Sequence, residues 1–188
     1  MINLNYLNQF YTVPEKDLAL LFSKLKQKEF RKNEIIVAPG QIQKELFFVE
    51  SGVQMSYFDA ANKTHVIAFT YAPGICAIPE SFSFQKPADC FLSCITESKM
   101  SVINYSDLQD VFNQSQEIER LFRKMTEFIL AGMIKRHIEL HSQTIEERFL
   151  SFCKRSPHLL QLVPHKYLAS YLGIDPTNFS KLFNSVKI

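Results

Sequence analysis

Glycine is scarce in this chain, five among 188 residues. A glycine-rich loop that wraps phosphate in backbone N–H groups therefore has little to be built from. No apolar run approaches the roughly 18 residues that cross a bilayer. The opening Met1-Ile2-Asn3-Leu4-Asn5-Tyr6 lacks the basic-then-apolar order of a secretion signal. A cytoplasmic protein with no membrane partner is the expectation. The four cysteines, Cys76, Cys90, Cys94 and Cys153, form no Cys-x-x-Cys pair. They are expected to be buried free thiols, with redox sensing or an iron–sulfur site as the lesser reading. What is plentiful is core material. Hydrophobic residues make up 46% and aromatics 13%, enough for one domain or two small ones.

The stretch from Val163 onward is the most informative. A short helix is predicted from about His165 to Leu172, with Pro164 just before it, where a missing N–H costs nothing. Leu168, Ala169 and Leu172 make its inner face. Gly173 can take the left-handed conformation that ends a helix, and Ile174 fills the gap under the turn. Asp175 is a good N-cap and Pro176 suits the first position of a second helix. Phe179, Leu182 and Phe183 then point inward, leaving Thr177, Asn178, Ser180, Lys181 and Asn184 outside. Spacing alone fits an ordinary helical hairpin equally well. The outer chemistry favours a DNA-reading helix-turn-helix: small amides and hydroxyls, one cation, and no carboxylate after the cap. From Thr144 onward Arg148, Lys154, Arg155, Lys166, Lys181 and Lys187 stand against Glu146, Glu147 and Asp175, in a chain whose net charge is only +2. That excess permits phosphate contact without proving it. Only Ser185 to Ile188 follow, so no wing hairpin is expected.

Upstream, the pattern predicts a helix over Val13 to Lys28. Short apolar runs and turns then alternate from Phe30 to about Tyr105: Ile35 to Val37, Leu46 to Val49, Val53 to Phe58, His65 to Tyr71, Phe91 to Ile95 and Lys99 to Asn104. Many short strands at regular spacing indicate an antiparallel sandwich or roll. A long helix follows, from about Gln114 to Ser142. Its apolar stripe, Ile118, Leu121, Phe122, Met125, Phe128, Ile129, Gly132 and Met133, is expected to pack on the roll and to pair with the same helix of a second chain. A single buried helix is the alternative. Thr144 caps the next helix, Ile145 to about Ser156, with Glu147 placed for a capping box.

This order of elements resembles the Crp/Fnr family of bacterial transcription regulators over nearly the whole chain. Three stretches carry the resemblance: Leu46-Phe47-Phe48-Val49-Glu50-Ser51-Gly52, Tyr71-Ala72-Pro73-Gly74, and Val163 to Phe183. The form is most similar to short members that end near the recognition helix. The resemblance implies an α+β fold: an antiparallel, cyclic-nucleotide-binding-like β-roll, a dimerisation helix and a small helix-turn-helix domain. Expected boundaries are 1–113, 114–142 and 143–188. It also implies a homodimer, double-stranded DNA and RNA polymerase as partners, a small-molecule effector in the roll, and no enzymatic activity. His165, Lys166, Thr177, Asn178, Ser180 and Lys181 would face DNA, on half-sites about 34 Å apart. Thr177 and Lys181 fall where family members place contacting polar residues. Pro176 falls where many carry a base-reading arginine, so the familiar operator is not expected.

The effector cassette departs from the family. Cyclic-nucleotide-binding members begin it with Phe-Gly-Glu and later carry Pro-Arg-x-Ala. Here the first element is Ile78-Pro79-Glu80 and the second Pro87-Ala88-Asp89-Cys90. Pro79 removes a backbone donor, Ala88 stands where the arginine should be, and Asp89 would repel phosphate. Lys86 approaches from another direction. The aromatic Phe82-Ser83-Phe84-Gln85 suggests a filled pocket or a less charged ligand, so neither cyclic AMP nor cyclic GMP is expected, and no cofactor. A cupin-like metalloenzyme is the alternative of another class, but the predicted strands hold only His65. His137 and His141 are four apart on the long helix, with Glu139 turned to the far side. A sensor or scaffold without DNA binding is the other alternative.

Overall fold

The computed structural model describes residues 3–185. Two helices lead in, α1 (Leu4–Asn8) and α2 (Glu15–Ser23). The second is shorter than its sequence pattern predicts. Residues Lys26–Phe30 form strand β1 instead, paired antiparallel with Ser98–Val102, so sheet pairing overrides local helix propensity. The strands β2 (Ile35–Val37), β3 (Glu45–Ser51), β4 (Val53–Ala60), β5 (Lys63–Tyr71) and β6 (Gly74–Cys76) follow, then helix α3 (Pro79–Phe84) and strands β7 (Phe91–Cys94) and β8 (Ser98–Asn104). They form two four-stranded sheets, β1-β8-β3-β6 and β2-β7-β4-β5. Between the sheets lie Val37, Phe47, Val49, Leu92, Met100 and Val102. This is the expected antiparallel roll.

Strand β3 shows why its run is apolar on both faces. Phe47 and Val49 fill the roll interior, whereas Leu46 and Phe48 face a second core formed with helices. A strand covered on both sides loses its alternation. The covering helices are α4 (Tyr105–Gln114) and α5 (Gln116–Ser142). Helix α5 starts two residues later than expected because Ser115 is extended and its hydroxyl accepts from the Ile118 N–H at 3.2 Å.

The remaining helices are α6 (Ile145–Arg155), α7 (Leu159–Leu162), α8 (His165–Leu172) and α9 (Pro176–Ser185). The Thr144–Glu147 capping box opens α6 as its sequence predicts. These four helices close over the outer face of β4 and β5. Val53, Met55 and Val66 from the roll share one core with Phe149, Phe152, Leu168, Leu172 and Phe179.

Gly52 makes the β3–β4 turn with φ of 89°. A Cβ there would collide with the Glu97 carbonyl and Ser98. Gly52→Ala is expected to lower stability by roughly 1–3 kcal/mol from backbone strain alone, with the clash added. Urea unfolding measures this, and a wild-type midpoint would show that the turn relaxes freely.

Candidate nucleic-acid interface and effector cassette

Helix α8 ends on Gly173, at φ 63° and ψ 38°. The Gly173 N–H donates to Ser170 O at 3.1 Å and the Ile174 N–H to Ala169 O at 3.0 Å, the paired bonds that close a helix on a left-handed residue. Asp175 then starts α9, its Oδ1 accepting from the Thr177 N–H at 2.9 Å. Leu168, Ala169, Leu172, Ile174 and Phe179 are buried, and Leu182 and Phe183 are half-buried against the same core. The outer side of α9 is left to Thr177, Asn178, Ser180, Lys181 and Asn184, all exposed. With about 100° per residue they fill one continuous arc. The Ser180 hydroxyl donates to Pro176 O at 3.0 Å, which leaves its lone pairs facing out.

His165 and Lys166, at the start of α8, are also exposed. The His165 ring rests 4.3 Å from Phe183 and 5.3 Å from Phe179, so α9 fixes its position. Lys166 Nζ lies 4.7 Å over the Tyr167 ring. Two of the cations counted at this end are engaged within the chain instead. Arg148 donates to Gln143 O at 2.7 Å, Leu172 O at 3.0 Å and Gly173 O at 3.3 Å. Arg155 pairs with Glu139 at 3.6 Å. Orphan carbonyls at the end of α8 attract the Arg148 guanidinium, a pull that a charge tally cannot see. Lys187 lies outside the described residues.

The cassette residues come together around α3, and the chain fills the space itself. Gln43, 2% exposed, is the centre. Its Oε1 accepts from the Ile78 N–H at 2.7 Å, its Nε2 donates to Glu45 O at 2.7 Å, and its own N–H donates to Ser81 Oγ at 2.9 Å. The Ser81 hydroxyl passes the chain on to Lys86 O at 2.7 Å, and Gln85 Nε2 reaches Gln43 O at 3.2 Å. Ile78 and Ala88 are buried. The Ala88 N–H donates to Gln41 O and its carbonyl accepts from the Gly40 N–H, both at 2.8 Å. Pro79, Glu80, Pro87 and Asp89 are exposed. Lys86 turns outward, its Nζ 5.9 Å from the Phe84 ring. Sequence reasoning missed Gln43, which no cassette motif contains.

Helix α5 has two faces. Ile118, Leu121 and Met125 are buried in the chain's own core, and Phe122 stands 5.1 Å from Phe112 and 6.2 Å from Phe48. These four offer little surface to a second chain, because the roll takes the stripe that faces it. Phe128, Ile129 and Met133 are exposed, and open space surrounds Gly132. Leu130, Ile134 and Ile138 are exposed too. They recur every four residues on the side away from the roll and were not part of the predicted stripe.

All four cysteines are free; Cys90 is half-buried and the others buried. Burial pushes the Cys76 thiol up to about 12, so it does not act as a thiolate near neutral pH. Among the described residues no group of three histidine, cysteine or acidic side chains is placed to hold a metal ion. His65 stacks on Phe58 at 5.0 Å, and the His137 and His141 rings meet edge to face at 4.5 Å. No described helix is long and apolar enough to cross a membrane.

No family model matches the sequence, and no curated protein matches it. Solved structures do. FixK2 from Bradyrhizobium japonicum aligns with a TM-score of 0.72 at 16% identity, over 85% of this chain and 83% of that one. A mutant of CooA from Carboxydothermus hydrogenoformans aligns with a TM-score of 0.69 at 15% identity, over 98% and 83%. The c-di-GMP responsive global regulator CLP of Xanthomonas campestris gives 0.66 at 14% identity, over 91% and 90%. The chain shares the fold of these three proteins. At these identities the Crp/Fnr likeness speaks for architecture, while ligand and operator rest on the residues above.

The Gln43 network has a measurable weight. Gln43→Leu keeps the volume but leaves the buried Ile78 N–H without its acceptor. Each orphaned group costs about 1–3 kcal/mol, so urea unfolding should show at least that loss. Unchanged stability would mean that the cassette is not held by this side chain.

Proposed function

We propose that this chain is a sequence-specific DNA-binding transcription regulator that works as a homodimer and whose roll answers to an effector other than a cyclic nucleotide. One observation carries the reading. On a Crp/Fnr fold, the arc of α9 that no other part of the described chain covers holds amides, hydroxyls and Lys181, and no carboxylate. Small polar side chains on an open helix suit the floor of a major groove. Thr177, Asn178, Ser180 and Lys181 are assigned to base edges and adjacent phosphate, and His165 and Lys166 to the backbone at the start of α8. The dimer is assigned to the second half of α5, where Leu130, Met133, Ile134 and Ile138 are exposed on one side of the helix. A contiguous apolar patch of this kind marks an association surface, and a helix paired with its own copy is the simplest closed arrangement.

For the effector, a phosphate needs a buried cation or several N–H donors. The cassette supplies Ala88 in place of an arginine, and its buried N–H groups at Gln43, Ile78 and Ala88 are already bonded within the chain. A ligand of low charge fits better. Responsiveness to c-di-GMP belongs to CLP and does not transfer through a cassette of this composition.

Selection of bound sequences with the purified protein, followed by titration across salt, tests the DNA reading. The expected result is a discriminated site whose affinity falls steeply with salt. Lys181→Ala should weaken that site by about 1–3 kcal/mol if the amine bonds a base edge. Equal binding to all sequences would leave the sensor or scaffold reading standing instead.

Cyclic AMP and cyclic GMP at millimolar concentration should leave the melting temperature unmoved. A ligand at 100 times its dissociation constant adds about 2.7 kcal/mol, a shift easily seen, and its appearance would return the cassette to nucleotide binding.

A further inference from the structure

One guanidinium joins three parts of the molecule. Arg136, on the roll-facing side of α5, donates from Nη1 to Ile67 O of β5 at 2.5 Å and from Nη2 to Tyr171 O of α8 at 2.7 Å. Its Cζ lies 3.9 Å from the centroid of the Tyr171 ring. The Ile67 carbonyl is available for a structural reason. Strand β5 is the edge of its sheet, and its register with β4 slips between Val66 and Ala68, leaving Ile67 without a partner in the ladder. The slip also lets Val66, Phe69 and Tyr71 all face the α6–α9 unit, despite their unequal spacing. Beside it, Ser170 of α8 completes the open strand edge. Its hydroxyl accepts from the Val66 N–H at 2.9 Å and donates to Thr64 O at 2.9 Å. The Tyr71 and Ser156 hydroxyls share a hydrogen bond of 2.7 Å at the far end of the strand.

These are directional bonds between the roll and the helical unit, most of them to α8, with Ser156 at the end of α6, and they leave the polar arc of α9 exposed. We infer that the bulged edge of β5, Arg136 and Ser170 form a latch that holds the α8–α9 pair in its DNA-competent posture, so that a change in the roll reaches the DNA-reading helix directly through β5 as well as along α5. The inference rests on the DNA-binding reading above. Arg136 and Ser170 are positioning residues, since neither faces DNA. A roll ligand that displaced β5 would release α8, and one that tightened the β4–β5 pair would hold it.

Three variants of the full chain test this: Arg136→Lys, Ser170→Ala, and the pair Val66→Cys with Ser170→Cys, closed by oxidation into a reversible tether. Lysine keeps the charge but cannot fork between two carbonyls or stack on Tyr171 in the same way. Both single variants should speed exchange of the Val66 amide and weaken the selected site by about fivefold each, the equivalent of one ordinary hydrogen bond. The oxidised tether should bind that site as tightly as wild type, and reduction should weaken it. Unchanged Val66 exchange in both single variants would remove the latch. A tether that abolishes binding until it is reduced would overturn the posture assigned to it. If wild type discriminates no sequence, the regulator reading fails, while amide exchange still reports whether the latch exists.

Discussion

The outer face of the β4–β5 hairpin cannot be left in water. Val53, Met55 and Val66 on that face, with Phe69 and Tyr71 beside them, are covered by Phe149, Phe152, Leu168 and Leu172. A helical unit the size of α6–α9, roughly 40 residues, buries too little to hold a core alone. Roll and helices therefore complete one another. Full burial of an aliphatic side chain contributes roughly 1.5–3 kcal/mol, and an ordinary hydrogen bond nets about 1 kcal/mol. Apolar closure thus supplies most of the cohesion. It is non-directional, however, and would tolerate sliding. The Arg136 and Ser170 bonds, few and directional, select one position on a surface that hydrophobic contact merely holds together.

The same division of labour governs the cassette. A pocket for a phosphate-bearing ligand needs a cation or free backbone donors. Here Gln43 bonds the Ile78 N–H and Glu45 O, while Ser81 links the Gln43 N–H to Lys86 O. Buried polar groups must find partners, and these have found them inside the chain. Ala88 is consistent with that arrangement: without an arginine there is no charge to neutralise, and its small side chain packs at the roll interior.

Local chemistry was legible in the sequence and long-range chemistry was not. Gly173-Ile174-Asp175-Pro176 declared its turn because each residue has a conformational or capping preference that acts within four positions, and the structure places every one as expected. The strands from Ile35 to Asn104 were legible through their turns. Lys26 to Lys28 were misread as the end of a helix because only their pairing with β8 makes them strand. Gln43, Ser170 and Arg136 gave no signal, since the bonds that join each to another part of the fold span 35 or more positions. Arg148 counted toward the basic excess of this end, because a cation looks the same in sequence whether it serves phosphate or the carbonyls of Leu172 and Gly173.

Helix α5 shows what such a misreading costs and what it hides. Its sequence presents one broad apolar band, from which roll-facing and open positions cannot be separated. In three dimensions Ile118, Leu121 and Met125 face the roll, and Arg136, five turns further along from Ile118, falls on that same side. Leu130, Ile134 and Ile138 stand opposite. A helix that rotates or slides to improve packing on its open stripe must carry Arg136 with it, and Arg136 cannot move without changing its reach to Ile67 O or Tyr171 O. Packed interfaces respond to such displacements by switching between discrete arrangements rather than by deforming smoothly. The open stripe and the latch are therefore mechanically one element, and association through α5 would bear on the posture of α9 even with the roll unchanged.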